Sequence, residues 1–306
     1  MKAVITGATG FVGDWLVKEL LKQNDEVTVI VRDKKRLKTE WNTSVKVVEA
    51  SLDQIATLDI SDFKNEKVDI FFHFAWAGTS GNERGDVKLQ LKNVEATCNA
   101  VELATRLGCK RFVNAGSIME YEAMQNISLD GAKPGMGNIY SIAKMTADFM
   151  AKAVATKEEI EFINVIISNI YGAGERSARF LNTTLRKMLK GESIAMTHGN
   201  QPYDFIYVTD AVKAIVLSAK KGEANSTYYI GNTKQQPLRK YILQMKAVLE
   251  SESEILFGKV PLTGIMLTYK EFDTKKLERM GFIPEVSFEE GIIRTRDWIL
   301  EKGNEC

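Results

Sequence analysis

Histidine and cysteine are scarce in this chain: two histidines, His73 and His198, and three cysteines, Cys98, Cys109 and Cys306, among 306 residues. Two histidines leave a His-based zinc site or a serine-hydrolase triad short of parts. The cysteines are odd in number, widely separated and without a neighbouring histidine, so they read as reduced thiols rather than disulfides, metal ligands or nucleophiles. Charge of one sign is lacking too. The formal net charge is +1 and no basic block stands out, which gives nucleic acid or an anionic membrane surface nothing to hold. No apolar run approaches the roughly 20 residues of a spanning helix. The first strand begins at residue 2, so no signal peptide is expected, and the expectation is a cytoplasmic protein. Pro/Ser-rich linkers, repeats and low-complexity stretches are absent as well. What is there, 44% hydrophobic and 26% charged residues, is ordinary globular composition with enough length for one large or two smaller domains.

The chain is organised around Val4-Ile5-Thr6-Gly7-Ala8-Thr9-Gly10-Phe11-Val12-Gly13. A short apolar strand runs into glycines spaced by three and then into an apolar-periodic helix. Glycine permits the sharp turn and lets backbone N–H groups approach phosphates, while the positive end of the helix faces the anion. The loop alone also suits an ordinary strand-to-helix turn. A second apolar run, Glu26-Val27-Thr28-Val29-Ile30-Val31, favours the nucleotide reading, because it ends in charged residues as a dinucleotide-binding half does. A carboxylate at that point accepts from an adenosine ribose 2′-OH, whereas an arginine accommodates a 2′-phosphate. Arg32, with Lys35 or Arg36 behind it, therefore favours NADP, and Asp33, one residue out of register, keeps NAD open.

Strands are expected at 45–49, 68–75, 110–115 and 162–167, alternating with helices, the longest at 87–107 and 138–157. This is the pattern of a doubly wound parallel sheet. His73, inside the apolar run Val68-Asp69-Ile70-Phe71-Phe72-His73-Phe74-Ala75, reads as a hydrogen-bonded packing residue. His198 reads as a solvated turn residue. A Gly-rich loop over 76–86 and the segment Gly116-Ser117-Ile118-Met119-Glu120-Tyr121 are expected at the carboxyl ends of their strands, where such sheets bind ligands. After a polar loop over 130–137 comes Tyr140-Ser141-Ile142-Ala143-Lys144, whose tyrosine and lysine share one helix face. A cation held near a phenol favours the phenolate, so the tyrosine can exchange a proton with a substrate oxygen. Ser117 can hydrogen-bond the same oxygen. A Tyr/Lys pair at this spacing is common on surfaces, and it is the order of all these features that gives it weight.

Taken together, the chain resembles the extended short-chain dehydrogenase/reductases, specifically the nucleotide-sugar epimerase/dehydratase group, over nearly its whole length. The resemblance rests on Thr6-Gly7-x-x-Gly10-x-x-Gly13, Asn93, Gly116-Ser117 with Tyr121, Tyr140-x-x-x-Lys144, Asn169-Ile170-Tyr171-Gly172 and Asp204-Phe205-Ile206-Tyr207-Val208-Thr209-Asp210. It implies a Rossmann-like α/β fold, with a cofactor domain over 1–170 and a smaller C-terminal α/β substrate lobe over 171–306, of which about 204–220 packs back on the first. It implies Tyr140 as general acid/base, Lys144 as its tuner and ribose contact, and Ser117 as second donor to the substrate oxygen. The cofactor set implied is Gly7, Thr9, Gly10, Phe11, Val12, Gly13, Arg32, Lys35, Ser51, Leu52, Phe74, Ala75, Trp76, Asn93, Tyr140 and Lys144. The implied substrate set is Thr79, Ser117, Met119, Tyr140, Asn169, Arg179 and Tyr203, and no metal is implied. The partner is a nucleotide sugar, and the helices at 87–107 and 141–157 resemble those that form a homodimer contact.

The chain departs from the family at several points. Ser51-Leu52 stands where Asp-Leu is common, and Tyr203 and Ile166 stand where the family carries arginines; Arg176 or Arg179 is a candidate replacement. Ile118-Met119 occupies the place of the Asp-Glu pair of the 4,6-dehydratases, and no cysteine lies near Ser117 as in 3,5-epimerising reductases. The expectation is an NADP-dependent reductase of a nucleotide-linked 4-keto-6-deoxyhexose, because Gly116-Ser117-x-x-Glu120-Tyr121 resembles the motif of 4-ketoreductases that make dideoxyhexoses. An NAD-dependent nucleotide-sugar 4-epimerase is the alternative, and a non-catalytic NADP-sensing regulator a lesser one, disfavoured by the retained Ser117, Tyr140 and Lys144.

Overall fold

The computed structural model describes residues 1–37, 40–128, 133–262 and 272–302, the side chains of 126–128 apart. Cys306 and part of the expected polar loop over 130–137 lie outside the described residues. By contacts the chain divides into two compact units, Met1–Ile167 with Val212–Tyr229, and Ser168–Ala211 with Ile230–Cys306.

The first unit opens with β1 (Lys2–Thr6), α1 (Phe11–Lys22), β2 (Glu26–Val31) and β3 (Lys46–Glu49). It continues with β4 (Ile70–His73), α2 (Val87–Arg106), β5 (Arg111–Ser117), α3 (Met119–Ser128), α4 (Asn138–Lys157) and β6 (Glu161–Ile167). Then follow β7 (Ile170–Tyr171), α5 (Phe180–Leu189), β8 (Ile194–Met196), β9 (Pro202–Tyr203), β10 (Ile206–Tyr207), α6 (Val208–Lys221) and β11 (Ser226–Ile230). The chain closes with β12 (Gln236–Pro237), α7 (Leu238–Val248), β13 (Ile255–Phe257), α8 (Lys276–Arg279) and α9 (Phe288–Lys302).

The central sheet has seven strands in the order β11-β6-β5-β4-β1-β2-β3. Its β1 to β6 pairings are parallel. Parallel strands buried on both faces need apolar residues throughout, which is why β4 and β5 read as near-continuous apolar runs. On one face Phe71, Phe112 and Phe162 sit in register on β4, β5 and β6 and stack at 5.5 and 5.8 Å between rings. Against them pack Ala100, Val101 and Ala104 of α2 and Ala151 and Ala155 of α4. The stripe Ala143, Ala147, Ala151 and Ala155 is buried, and small side chains there let α4 lie close to its neighbours. The strand order reverses between β1 and β4, the switch point where such sheets bind ligands.

Two elements differ from the sequence expectation. Strand Ser226–Ile230 completes the central sheet beside β6 rather than belonging to a separate C-terminal lobe, and the boundary drawn at 170/171 falls instead at Ile167/Ser168. Local patterning identifies a strand but not the sheet it joins. Helix α3 was not expected, because the polar sequence after Ser117 carries no start signal beyond the serine.

In the second unit short strands pair as β7 with β10, β9 with β12 and β8 with β13. Its core is aromatic: Phe205 lies 4.9 Å from Tyr241 and 5.6 Å from Phe288, ring to ring. Asp204, wholly buried, accepts hydrogen bonds from Ser168 Oγ, Asn169 Nδ2 and Asn232 N at 3.1, 3.3 and 3.0 Å. Among the described residues no helix is long and apolar enough to cross a membrane.

Candidate active site

The turn from β1 into α1 is built from glycine for steric reasons that the structure makes explicit. Gly7 has φ +77°, and a Cβ there would lie 2.5 Å from the Phe74 carbonyl carbon at the exit of β4. A Cβ on Gly13 would lie 2.1 Å from Gly7 O. Gly10 caps α1 with no side-chain hydrogen bond, so no side chain fills the space at the start of the helix. Thr6 fixes the neighbouring strand exit: its hydroxyl accepts from Phe74 N and Ala75 N at 3.1 and 3.2 Å. That leaves the hydroxyl proton for His73 Nδ1, 3.0 Å away, and sets the histidine as the neutral Nε2–H tautomer. Burial first, then the charge of Lys144, holds His73 down at about 3, so it stays neutral. His73 is a strut between β1 and β4.

A cleft of about 600 Å³ opens over this turn. Of the residues expected at a cofactor, Gly7, Thr9, Gly10, Arg32, Ser51, Leu52, Phe74, Ala75, Trp76 and Asn93 line it. Phe11, Val12, Gly13, Tyr140 and Lys144 do not; Gly13 acts instead by permitting close packing under Gly7. Lys35 is exposed and outside the cleft wall, where Arg36 stands in its place. The reason is local: Asp33 caps a short turn over Lys34–Arg36 by accepting from Lys35 N at 2.9 Å, a geometry that sequence order alone did not reveal. Asp33, weighed in the sequence as the residue one place out of register, lines the wall as well, and the sequence reading missed Asp53 and Lys92 there. Asp53 and Lys92 each sit beside an expected wall residue, Leu52 and Asn93, and that adjacency was the signal available.

The floor beyond the cleft is locked by side-chain amides. Asn93 Oδ1 accepts from Ala77 N at 3.0 Å and its Nδ2 donates to Ala77 O at 2.9 Å. Gln90, also buried, accepts from Trp76 Nε1 at 2.8 Å and donates to Gly78 O and Glu83 O. Together they tie the 76–86 loop to α2.

The expected catalytic groups lie on adjoining elements, β5 and α4, which Lys144 ties together at Ala115. Ser117 ends β5, and Tyr140 and Lys144 lie on the first turns of α4; all three are buried. Lys144 Nζ donates to Ala115 O at 2.9 Å and sits 3.7 Å from the Trp76 ring centre. Trp76 meets Tyr140 edge-on at 6.1 Å, and the Arg84 guanidinium lies 4.4 Å from the Tyr140 ring centre. Burial drives Lys144 down to about 7, against the opposing pull of Glu120. Ser117 Oγ accepts from Met119 N at 3.2 Å, so its own proton is left to donate. Met119 is half-buried beside it and Thr79 is exposed.

Three expected substrate residues belong to the second unit. Asn169 is bound to Asp204, Tyr203 packs its ring 5.5 Å from Phe205, and Arg179 begins α5 with Glu175 3.9 Å away. Arg176 lies 6.0 Å from the Trp298 ring centre. Cys109 is buried, which pushes its thiol far up, and burial raises Cys98 as well; both are inert as nucleophiles at neutral pH.

A Gly-rich phosphate loop at the switch point of a doubly wound sheet, with a buried serine, tyrosine and lysine at neighbouring strand and helix ends, defines a nicotinamide-dependent enzyme of the short-chain dehydrogenase/reductase class. The chain belongs to the NAD dependent epimerase/dehydratase family, whose pattern it matches over residues 3–231. It is 25% identical to the CDP-abequose synthase of Salmonella muenchen over 95% of each chain. Its fold superposes on the UDP-glucose 4-epimerase of Thermotoga maritima with UDP-glucose (TM-score 0.79, 19% identity, 99% of both chains). It likewise superposes on WbmF of Bordetella bronchiseptica with NAD+ and UDP (TM-score 0.78, 21% identity, 99% of this chain and 93% of that one). Nucleotide sugars are the substrates of such enzymes.

Proposed function

We propose that this protein is an NADP-dependent reductase of a nucleotide-linked 4-keto-6-deoxyhexose. The observation that carries the cofactor half is the exit of β2. The Asp33 carboxylate caps its own turn, and Glu49 accepts from Lys34 N at 3.3 Å, while Arg32 and Arg36 line the cleft beside Ser51. Two guanidinium groups and a hydroxyl suit a 2′-phosphate, while one oxygen of the Asp33 carboxylate is already taken by Lys35 N. Gly7 and Gly10 line the cleft where α1 begins, and Gly10 leaves the helix N-terminus free of any side chain, an arrangement that suits a pyrophosphate. When bound, the dinucleotide supplies the hydride to a sugar carbonyl carbon. Tyr140 gives its phenol proton to the oxygen, Ser117 donates a hydrogen bond to it, and Lys144 holds positive charge beside the tyrosine.

The sugar half rests on residues and on kinship. Ile118 and Met119 supply no acid/base pair for elimination, and the likeness to a CDP-abequose synthase supports a nucleotide-linked sugar as substrate. Asn169, Arg179 and Tyr203 are proposed to contact the nucleotide sugar. The second reading, a nucleotide-sugar 4-epimerase, draws on the fold shared with the Thermotoga enzyme. Dinucleotide released from protein purified without added cofactor separates the two. Near-stoichiometric NAD or NADH means the epimerase; an empty site, with NADPH oxidation on 4-keto-6-deoxy sugar nucleotides, means the reductase. Arg32→Ala is expected to raise the KM for NADPH about 10- to 100-fold while leaving that for NADH within about threefold.

A cytoplasmic homodimer completes the proposal. Val87 and Leu91 of α2 and Ile142, Phe149 and Met150 of α4 are exposed apolar side chains on two helices that pack together. Light scattering on Phe149→Arg against the parent chain tests it, with a monomer the expected outcome for the variant.

A further inference from the structure

Arg84 has no part in the reaction described above, yet its guanidinium lies 4.4 Å from the centre of the Tyr140 ring. It is half-buried in the 76–86 loop, and the loop is built to hold it there. Gln90 of α2, 1% exposed, is the anchor. Its Nε2 donates to Gly78 O at 3.0 Å and to Glu83 O, the carbonyl just before Arg84, at 3.1 Å, while its Oε1 accepts from Trp76 Nε1 at 2.8 Å. Gly78, at φ +69°, folds the loop back on itself: a Cβ there would lie 2.9 Å from Glu83 Cβ. A Cβ on Gly85 would lie 3.2 Å from Met136 Cβ, so the backbone next to Arg84 runs against the segment that leads into α4. Tyr140 is the third residue of that helix. One loop thus brings two side chains to one ring, Trp76 edge-on at 6.1 Å and Arg84 over the face.

We propose that Arg84 is a positioning residue for Tyr140: the 76–86 loop lays a fixed positive charge on the phenol ring, which holds the ring in place and favours its ionised form. The proposal rests on the reading of Tyr140 as the proton carrier.

The face of an aromatic ring is negative, and a guanidinium within about 6 Å of the ring centre is attracted to it. Ionisation strengthens the attraction, because the phenolate spreads a full negative charge into the ring. A guanidinium keeps its own charge throughout the range in which proteins are folded. Arg84 therefore acts on Tyr140 as a constant, whereas burial drives the Lys144 ammonium down to about 7. Lys18 over Trp15 and Arg294 over Tyr207 are shared with Glu40 and Glu290. Among the described residues Arg84 pairs with no such carboxylate.

The charged and titratable groups on the neighbouring elements are distinct from it. Helix α4 itself carries Lys144 one turn on and Asp148 a turn further, and Lys133 precedes the helix. From α3 come Glu120, accepting from Ser117 N at 2.6 Å, and Glu122, accepting from Ser141 Oγ at 2.9 Å. From α2 come the neutral amides Gln90 and Asn93 and, in the cofactor cleft, Lys92. Strand β4 ends in the neutral His73 and β5 in Ser117, and the loop adds Glu83. A change at Arg84 alters none of these and removes one charge from one ring face.

The test is the titration of Tyr140 in the intact chain by NMR of 13Cζ-tyrosine, its signal picked out from nine tyrosines by its loss in Tyr140→Phe. In Arg84→Gln the Tyr140 midpoint is expected to rise by at least about half a pH unit, a threefold change in its acid constant. Arg84→Lys, which keeps the charge, is expected to recover at least half of that shift. An unchanged or lowered midpoint in Arg84→Gln overturns the proposal, as does a lysine variant that recovers nothing, since the charge would then not be the agent. A parent Tyr140 still fully protonated at pH 10.5 overturns it too, because its phenolate would not be favoured at all. Should Arg84→Gln not fold, Arg84→Met, of similar length and without charge, is read in the same way. These readings need no substrate, so failure to find turnover would count against the reductase reading and leave this one to its own result. Where turnover is found, the high-pH limb of the kcat/KM profile is expected to move up in Arg84→Gln by the same amount as the midpoint.

Discussion

At Tyr140 the argument is narrow enough to be checked by removing one oxygen. Tyr140→Phe keeps the ring between Trp76 and Arg84 and loses only the proton carrier. Turnover is expected to drop about 10²- to 10⁴-fold, with cofactor affinity within about threefold by fluorescence titration; a regulator that only binds cofactor would have no turnover to lose. Glu120 gives a pH signature. Its folded-state carboxyl is raised to about 8 from an ordinary 4.5, so the folded chain keeps a proton that the unfolded chain releases. Its stabilising contribution is complete below about 4.5 and is lost as pH rises to about 8. Urea unfolding should therefore show the parent chain's advantage over Glu120→Gln shrinking from pH 5 to pH 8, and a constant difference would refute it. In the sequence Ser117, Tyr140 and Lys144 could be singled out because the proposed chemistry asks for those types in that order, and the structure places all three in buried positions. Other residues were illegible where one side chain reroutes another: Asp33 turning onto Lys35 N exchanged Lys35 for Arg36 in the cleft wall.

The β1–α1 turn shows why element-level reading succeeded there. Its three glycines look alike in sequence and differ in space. Gly10→Ala would place its Cβ 3.2 Å from Gly7 O, a contact a slight shift relieves, whereas Gly7→Ala and Gly13→Ala meet backbone at 2.5 and 2.1 Å. Chemical unfolding is expected to rank them accordingly: about 1 kcal/mol for Gly10→Ala and about 3 kcal/mol or more for each of the other two. Equal costs at all three would mean the turn relaxes as a whole. Helix α3 escaped notice because its start is set by tertiary bonds, Ser117 N to Glu120 and Met119 N to Ser117 Oγ, and not by any apolar period. The α/β alternation up to β6 was readable because buried parallel strands must be apolar along their whole length. Past that point, β11 apart, the strands have two or three residues and carry no period to read.

The molecule as a whole is ordered by a chain that leaves its first unit at Ile167 and comes back at Val212. The return is fastened by Arg111 Nη1 to Ala219 O at 2.6 Å, by Lys220 Nζ to Asp25 at 2.8 Å and by Lys152 Nζ to Asn225 O at 3.0 Å. A fragment of residues 1–167 lacks β11 and these ties. It is expected to be recovered mainly in the insoluble fraction, whereas an otherwise equal fragment with 212–230 joined on by a short linker should be soluble and bind dinucleotide; solubility of the shorter piece would refute this. On the ribosome the same arrangement sets a schedule. Strand β6 is made more than fifty residues before its partner β11 emerges, and an open edge of parallel sheet is a template for wrong pairing. The nascent sheet must wait, edge uncovered, while most of another unit's first half is synthesised. A pause, a chaperone or a truncating codon in that interval therefore bears on whether any cofactor site is ever finished.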